Sequence, residues 1–338
     1  MEKNKKVVVL DATLRDSGYA IHFQFSARDT RNLCQGLEKA GVTMIEVGHG
    51  LGLGASSVKH GVALETDEDY LRAAAGALTK ARFGAFFIPG IGSKDDLSAA
   101  TLQGMHFVRI GYEVTEIDIA RPYVDHAKAL GLEVSLNPMK TYVVPAIEFG
   151  RIASRVEAWG AVDTLCVVDS AGSMLPHEVA EYTRIARDNC SLALGFHGHN
   201  NLGMANANCL AAVAEGATFV DGTLRGMGRS AGNAQTEILA YALQKAGYST
   251  DVDPVTLFNV ISTYLEPLML QPQGVPPLEA LYGMTQFHSS HLPRFRRALA
   301  KFDVDLKRLI MAVSEINCIN PSDDLIESVA RDLCRTDE

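Results

Sequence analysis

The chain has 338 residues, with 31 Lys+Arg against 40 Asp+Glu, a formal net charge of −9, and 47% hydrophobic residues. That balance is typical of a chain with a packed core and excludes a disordered one. The negative charge argues against a broad nucleic-acid or anionic-membrane footprint. No apolar stretch approaches the roughly 20 residues of a membrane span.

Met1-Glu-Lys-Asn-Lys-Lys6 runs straight into Val7-Val-Val-Leu10 with no apolar targeting segment, so a cytoplasmic protein is expected. The six cysteines (Cys34, Cys166, Cys190, Cys209, Cys318 and Cys334) show no CxxC spacing and are expected as reduced core thiols.

Short β-branched or aromatic runs predict eight strands: 7–10, 44–47, 83–88, 107–110, 133–136, 164–168, 192–196 and 219–220. Between them, amphipathic stretches predict helices over 27–40, 68–80, 116–130, 146–159, 176–188, 203–215 and 233–245. The strands read as near-continuous apolar runs, the pattern of parallel strands buried on both faces. Eight β-then-α units in series predict an α/β fold, a (β/α)8 TIM barrel over residues 1–250. No G-x-G-x-x-G follows the first strand, which argues against a dinucleotide-binding fold. From residue 251 the strand runs stop, and helical spacing punctuated by prolines predicts a helical C-terminal extension, 251–338, packed on the barrel.

In such barrels chemistry sits on the loops after the strands, and the polar residues gather there. The first strand ends in Asp11-Ala-Thr-Leu-Arg15-Asp16, the second in Glu46-Val-Gly-His49, the sixth in Asp169-Ser170, the seventh in His197-Gly-His199 and the eighth in Asp221. His197 and His199, two apart on a strand, point to one face and can meet one ion, with Gly198 expected to leave the approach open. Imidazole suits Mn, Fe, Co, Ni and Zn, and a carboxylate adds charge neutralisation. Asp16, at the end of the first strand and so beside the eighth and close to the seventh in a closed barrel, is the best-placed carboxylate. An HxH pair also occurs in metal-dependent amidohydrolases, but on the first strand.

Thr13-Leu-Arg15-Asp16, Glu46-Val-Gly-His49-Gly50, Asp169-Ser170-Ala-Gly172, His197-Gly-His-Asn-Asn-Leu202 and Gly226-Met-Gly through Ala231-Gly-Asn233 together resemble one family. It is the pyruvate-type aldolases of the metal-dependent lyase/synthase (HMG-CoA lyase-like) barrel superfamily, and among them the 4-hydroxy-2-oxovalerate aldolases. The resemblance implies a divalent ion, Mn²⁺ or otherwise Mg²⁺, Co²⁺ or Zn²⁺, held by Asp16, His197 and His199. It implies cleavage of a 4-hydroxy-2-oxo acid to a 2-oxo acid such as pyruvate and an aldehyde, with Arg15 and His197 contacting substrate, while Ser170 reads either as a substrate contact or as a loop cap. An aldehyde dehydrogenase partner or a homo-oligomer is a further implication. A Claisen-type enzyme joining an acyl-CoA to a 2-oxo acid is the alternative within the superfamily. Asn233 reads either as a further ligand or as a helix N-cap, and Asp169 either as a ligand or as an orienting group.

Tyr19 stands where such aldolases place a His that takes the C4-hydroxyl proton, and His288 where they place a Tyr. An unperturbed His is the better base at neutral pH. The exchange therefore assigns proton transfer to His288 and a hydrogen-bonding or pocket-shaping role to Tyr19, with His22 and His49 as alternative bases. Phe86-Phe-Ile-Pro89 and His49-Gly-Leu51 also depart from the family pattern, which implies an altered aldehyde pocket.

Overall fold

A computed structural model describes residues 5–274, 277–285, 287 and 291–336. Eight parallel strands close into a barrel in sequence order. They are β1 (Val8–Asp11), β2 (Met44–Glu46), β3 (Arg82–Phe87), β4 (Phe107–Glu113), β5 (Glu133–Met139), β6 (Thr164–Asp169), β7 (Ala193–Gly198) and β8 (Phe219–Gly222). The predicted (β/α)8 barrel with helices following in the C-terminal region is the observed architecture.

Side chains two apart on a strand share a face, and this period builds the barrel interior in layers. Leu10, Met44 and Phe107 form the floor, with Phe219 packed against them. Two residues further along β2, β4 and β8, Met44 gives way to Glu46, Phe107 to Arg109 and Phe219 to Asp221. An apolar layer is thus succeeded by a buried charged one, directly beneath the mouth.

Helices start where short polar side chains satisfy the free N–H groups of the first turn. Ser26 with Asp29, Thr66 with Asp69, and Ser93 with Asp96 form reciprocal capping boxes at Ala27–Lys39, Asp67–Ala75 and Lys94–Leu102. The last of these fills the one interval between strands to which no helix was assigned from periodicity. Arg121–Ala129 begins later than expected, because Pro122 sits in its first turn and 3-10 geometry precedes it.

By their contacts the residues divide into two compact units, up to 274 and from 275 on. In the first, Pro254–Val260 packs on the helix Ala27–Lys39, where a Cβ on Gly36 would lie 2.8 Å from the Val260 methyls. In the second, helices Pro277–Thr285, Leu292–Leu299, Leu306–Asn317 and Asp323–Thr336 bury Phe295, Leu309, Ile310, Val313, Ile326 and Ala330.

No helix among the described residues is long and apolar enough to cross a membrane. All six cysteines are free thiols, but only Cys34, Cys166 and Cys209 are fully buried. Cys190, Cys318 and Cys334 are partly exposed, which corrects the expectation that the set lies in the core.

Candidate active site

The chain turns sharply after β1 into a single helical turn, Thr13–Asp16, whose four residues are all buried. Arg15 donates from Nη1 to Asp16 Oδ1 at 2.6 Å and from Nε to Glu46 Oε2 at 2.7 Å. Burial opposes ionisation of Asp16, but Arg15, with His199 and His197, outweighs it and holds the carboxyl below the usual range.

On β7 the alternation brings His197 and His199 to one face, their ring centroids 5.2 Å apart and planes perpendicular. His197 Nδ1 lies 2.9 Å from Asp221 Oδ2, and His199 Nδ1 lies 3.2 Å from the Gly232 carbonyl. An ionised carboxylate and a carbonyl can only accept, so each Nδ1 carries the proton and each Nε2 keeps its lone pair in the neutral ring. Burial holds His199 toward that neutral form. Gly198 does not open the approach. It faces the other way, where a Cβ would lie 2.7 Å from the Phe196 ring.

The Gly-rich segment after β8 folds back over this corner. Asn233 Nδ2 donates to Asp16 Oδ2 at 2.5 Å, while its Oδ1 is buried with no hydrogen-bond partner. The helix beyond starts at Thr236, so Asn233 is not its N-cap. A Cβ on Gly228 would stand 2.1 Å from Asn233 Nδ2 and 2.6 Å from Asp16 Oδ2, so only glycine permits this approach.

Among the described residues no three His, Cys, Asp or Glu side chains stand in ready metal-ligand geometry. Both oxygens of Asp16 are engaged by Arg15 and Asn233. The donor chemistry nonetheless fits a divalent cation. Two imidazoles have uncommitted Nε2 atoms, an ionised carboxylate lies beside them, and an amide oxygen is buried without a partner.

The two imidazoles and the Asp16 carboxylate border a cavity of ≈ 280 Å³, which Arg15, Tyr19 and Ser170 also line. Tyr19 is half-buried, and burial raises its phenol, so the hydroxyl is a donor at neutral pH. Ser170 lines the cavity while its Oγ accepts from Lys140 N at 3.0 Å. Asp169 accepts from Ser173 N and Met174 N and orients the β6 loop.

Neither alternative base reaches the cavity. His22 is exposed in a left-handed turn, and His49 stacks on Phe23 at 4.1 Å with Nε2 3.1 Å from the Gly61 carbonyl. His288 lies outside the described residues.

Arg109, inside the apolar run of β4, was not among the expected site residues. It donates to Glu46 Oε2 at 3.2 Å and also contacts Asp221 Oδ2. Its signal was present in the sequence as a guanidinium between Val108 and Ile110, affordable only with buried carboxylates around it. Arg229, on the cavity wall, was likewise missed.

The HMGL-like family model matches residues 6–263. "4-Hydroxy-2-oxovalerate aldolase 2" of Rhodococcus jostii is 39% identical over 98% of this chain and 96% of its own. "4-Hydroxy-2-oxovalerate aldolase" of Pelotomaculum thermopropionicum is 40% identical over 98% and 97%. Among solved structures, the N-terminal domain of a putative aldolase from Bacteroides vulgatus is 26% identical at a TM-score of 0.68, covering 85% of this chain and 99% of that one. HMG-CoA lyase from Bacillus subtilis shares the fold, with a TM-score of 0.71 at 20% identity over 82% and 99%. The chain belongs to the HMGL-like family and, within it, to the family of 4-hydroxy-2-oxovalerate aldolases.

Proposed function

We propose that this protein is a divalent-metal-dependent aldolase that splits a 4-hydroxy-2-oxo acid into a 2-oxo acid such as pyruvate and an aldehyde, reversibly. One observation carries the reading. Two proton-fixed imidazoles, an ionised aspartate and a buried arginine meet on one wall of a cavity sized for a small molecule. Asp16, His197 and His199 would hold the ion, with Asn233 Oδ1 beside them, and Mn²⁺ is the ion we assign. The bound ion would act as a Lewis acid toward the 2-oxo acid.

In cleavage the C4 hydroxyl gives its proton to a base, the C3–C4 bond breaks, and the aldehyde leaves. The electron pair passes through C3 to the 2-oxo oxygen as an enolate, which is reprotonated at C3. Arg15 supplies a planar cation where that charge develops, and Glu46 holds the guanidinium from behind. Tyr19 donates a hydrogen bond within the cavity and His288 takes the C4-hydroxyl proton. Ser170 contacts the substrate from the β6 side.

The test is exchange of the pyruvate methyl protons into D₂O by enzyme first stripped with a chelator. Exchange restored by Mn²⁺ with no CoA ester present supports the aldolase; exchange that requires an acyl-CoA favours the condensing reaction instead. In the same assay series, His288→Ala is expected to lower kcat for cleavage about 100-fold or more, and Tyr19→Phe less. The reverse ranking overturns the assignment of the base.

A further inference from the structure

Four cationic side chains line the cavity: Arg15, Arg109, Lys140 and Arg229. Three are neutralised. Arg15 pairs with Asp16 and Glu46, Arg109 with Glu46 and Asp221, and Lys140 with Glu113 at 2.7 Å. The Arg229 guanidinium has no carboxylate partner among the described residues, although the residue's backbone N–H donates to Asp16 Oδ2 at 3.4 Å; the guanidinium lies over the Tyr19 ring, 5.3 Å from the centroid.

The backbone that carries Arg229 is fixed on both sides. Gly228 N donates to Gln273 Oε1 at 3.1 Å, and Gly232 N donates to the Arg229 carbonyl at 3.0 Å. Ser230, in the left-handed region at φ 58°, accepts at Oγ from Asn201 Nδ2 at 2.8 Å. A held loop thus aims one exposed cation across the face of Tyr19, with its charge left over. Arg15 sits deeper and is already paired with two carboxylates, so it is not available to a second anion.

We propose that Arg229 is a specificity-determining residue that reads an anionic terminus on the aldehyde half of the substrate, so that the preferred aldehydes carry a carboxylate or a phosphate. The proposal rests on the aldolase reading and names its substrate class. A guanidinium matches a carboxylate or phosphate in two-point geometry, and Tyr19 beside it keeps it at the cavity wall. The step itself is the redox-neutral one above, and the terminus takes no part in bond making.

The experiment compares condensation of pyruvate, with Mn²⁺ present, against aldehydes that differ by a methyl in place of the anion. The pairs are glyoxylate against acetaldehyde, and succinic semialdehyde against butanal, with glycolaldehyde phosphate as the phosphate arm. In the parent enzyme, kcat/KM is expected to favour at least one anionic aldehyde by about tenfold or more, mainly through KM, and the ratio to fall as KCl rises. Arg229→Gln is expected to bring the ratio close to one, and Arg229→Lys to restore part of it. The salt dependence of the parent gives a reading even where a variant fails to fold.

A parent ratio near one overturns the proposal, and so does a preference that survives Arg229→Gln. Exchange of pyruvate protons without aldehyde separates the two levels. Normal exchange with no anion preference removes only the role of Arg229, whereas absent exchange removes the aldolase reading along with it.

Discussion

The Nδ1 of His197 stands 2.9 Å from Asp221 Oδ2, and that same carboxylate oxygen receives Arg109. Through Arg109 and Glu46 the contact continues to Arg15, so a buried line of alternating charge joins a metal-ligand candidate to the cation proposed to face the substrate. The line runs along the charged layer of the barrel interior, and burial makes each of its members depend on the next. Asp221→Asn removes the anionic acceptor that fixes the His197 tautomer. Mn²⁺ affinity, followed by the electron paramagnetic resonance of free ion, is expected to drop about 10- to 100-fold. Unchanged affinity would show that His197 is not a ligand or is oriented by something else.

Gly228→Ala places a methyl against Asn233 Nδ2 and Asp16 Oδ2, at 2.1 and 2.6 Å in the present geometry. The loop must then move away from the proposed metal corner, while the rest of the barrel has no reason to rearrange. Far-UV circular dichroism is expected to match the parent, with Mn²⁺ binding weakened at least tenfold and proton exchange reduced in parallel. A variant that binds Mn²⁺ as tightly as the parent would show that the corner is looser than drawn.

Two buried carboxyls are raised by burial: Glu237 to about 7 and Asp11 to about 6, the latter opposed by hydrogen bonds from Thr236 and Thr13. Both pKa values lie above those of the unfolded chain, so the folded state retains protons that the unfolded state has already released. Their contribution therefore falls as pH rises, for Glu237 between roughly 4.5 and 7. His199 and His49, lowered chiefly by burial, act in the opposite sense over part of that window. The difference between the parent and Glu237→Gln isolates Glu237. Urea midpoints measured with chelator at pH 5 and pH 8 are expected to show the parent losing more stability toward pH 8 than the variant. A parent-to-variant gap that does not change with pH would mean Glu237 is ionised throughout.

Eight strands, the barrel, and the histidines sharing one face were legible because each follows from a period of two or from apolar runs a few residues long. The helix Lys94–Leu102 was missed, although Ser93 and Asp96 announced it as a capping box. Asn233 was ambiguous because an N-cap and a ligand look alike until the helix start is known, and the helix begins three residues later. Gly198 was misjudged for the opposite reason. The alternation that aligns the histidines sends the residue between them to the far face.

Which residue types crowd the ends of the strands could be read along the chain, because strand alternation and strand-to-loop boundaries are local properties. The tertiary structure alone decided which of them meet. Arg109 finds Glu46 and Asp221 across the barrel, Asn233 reaches Asp16 from 217 residues away, and Arg229 comes to rest on Tyr19. Those meetings depend on barrel closure and on the path of one glycine-rich loop. Both are set by packing between distant segments, which no local pattern encodes.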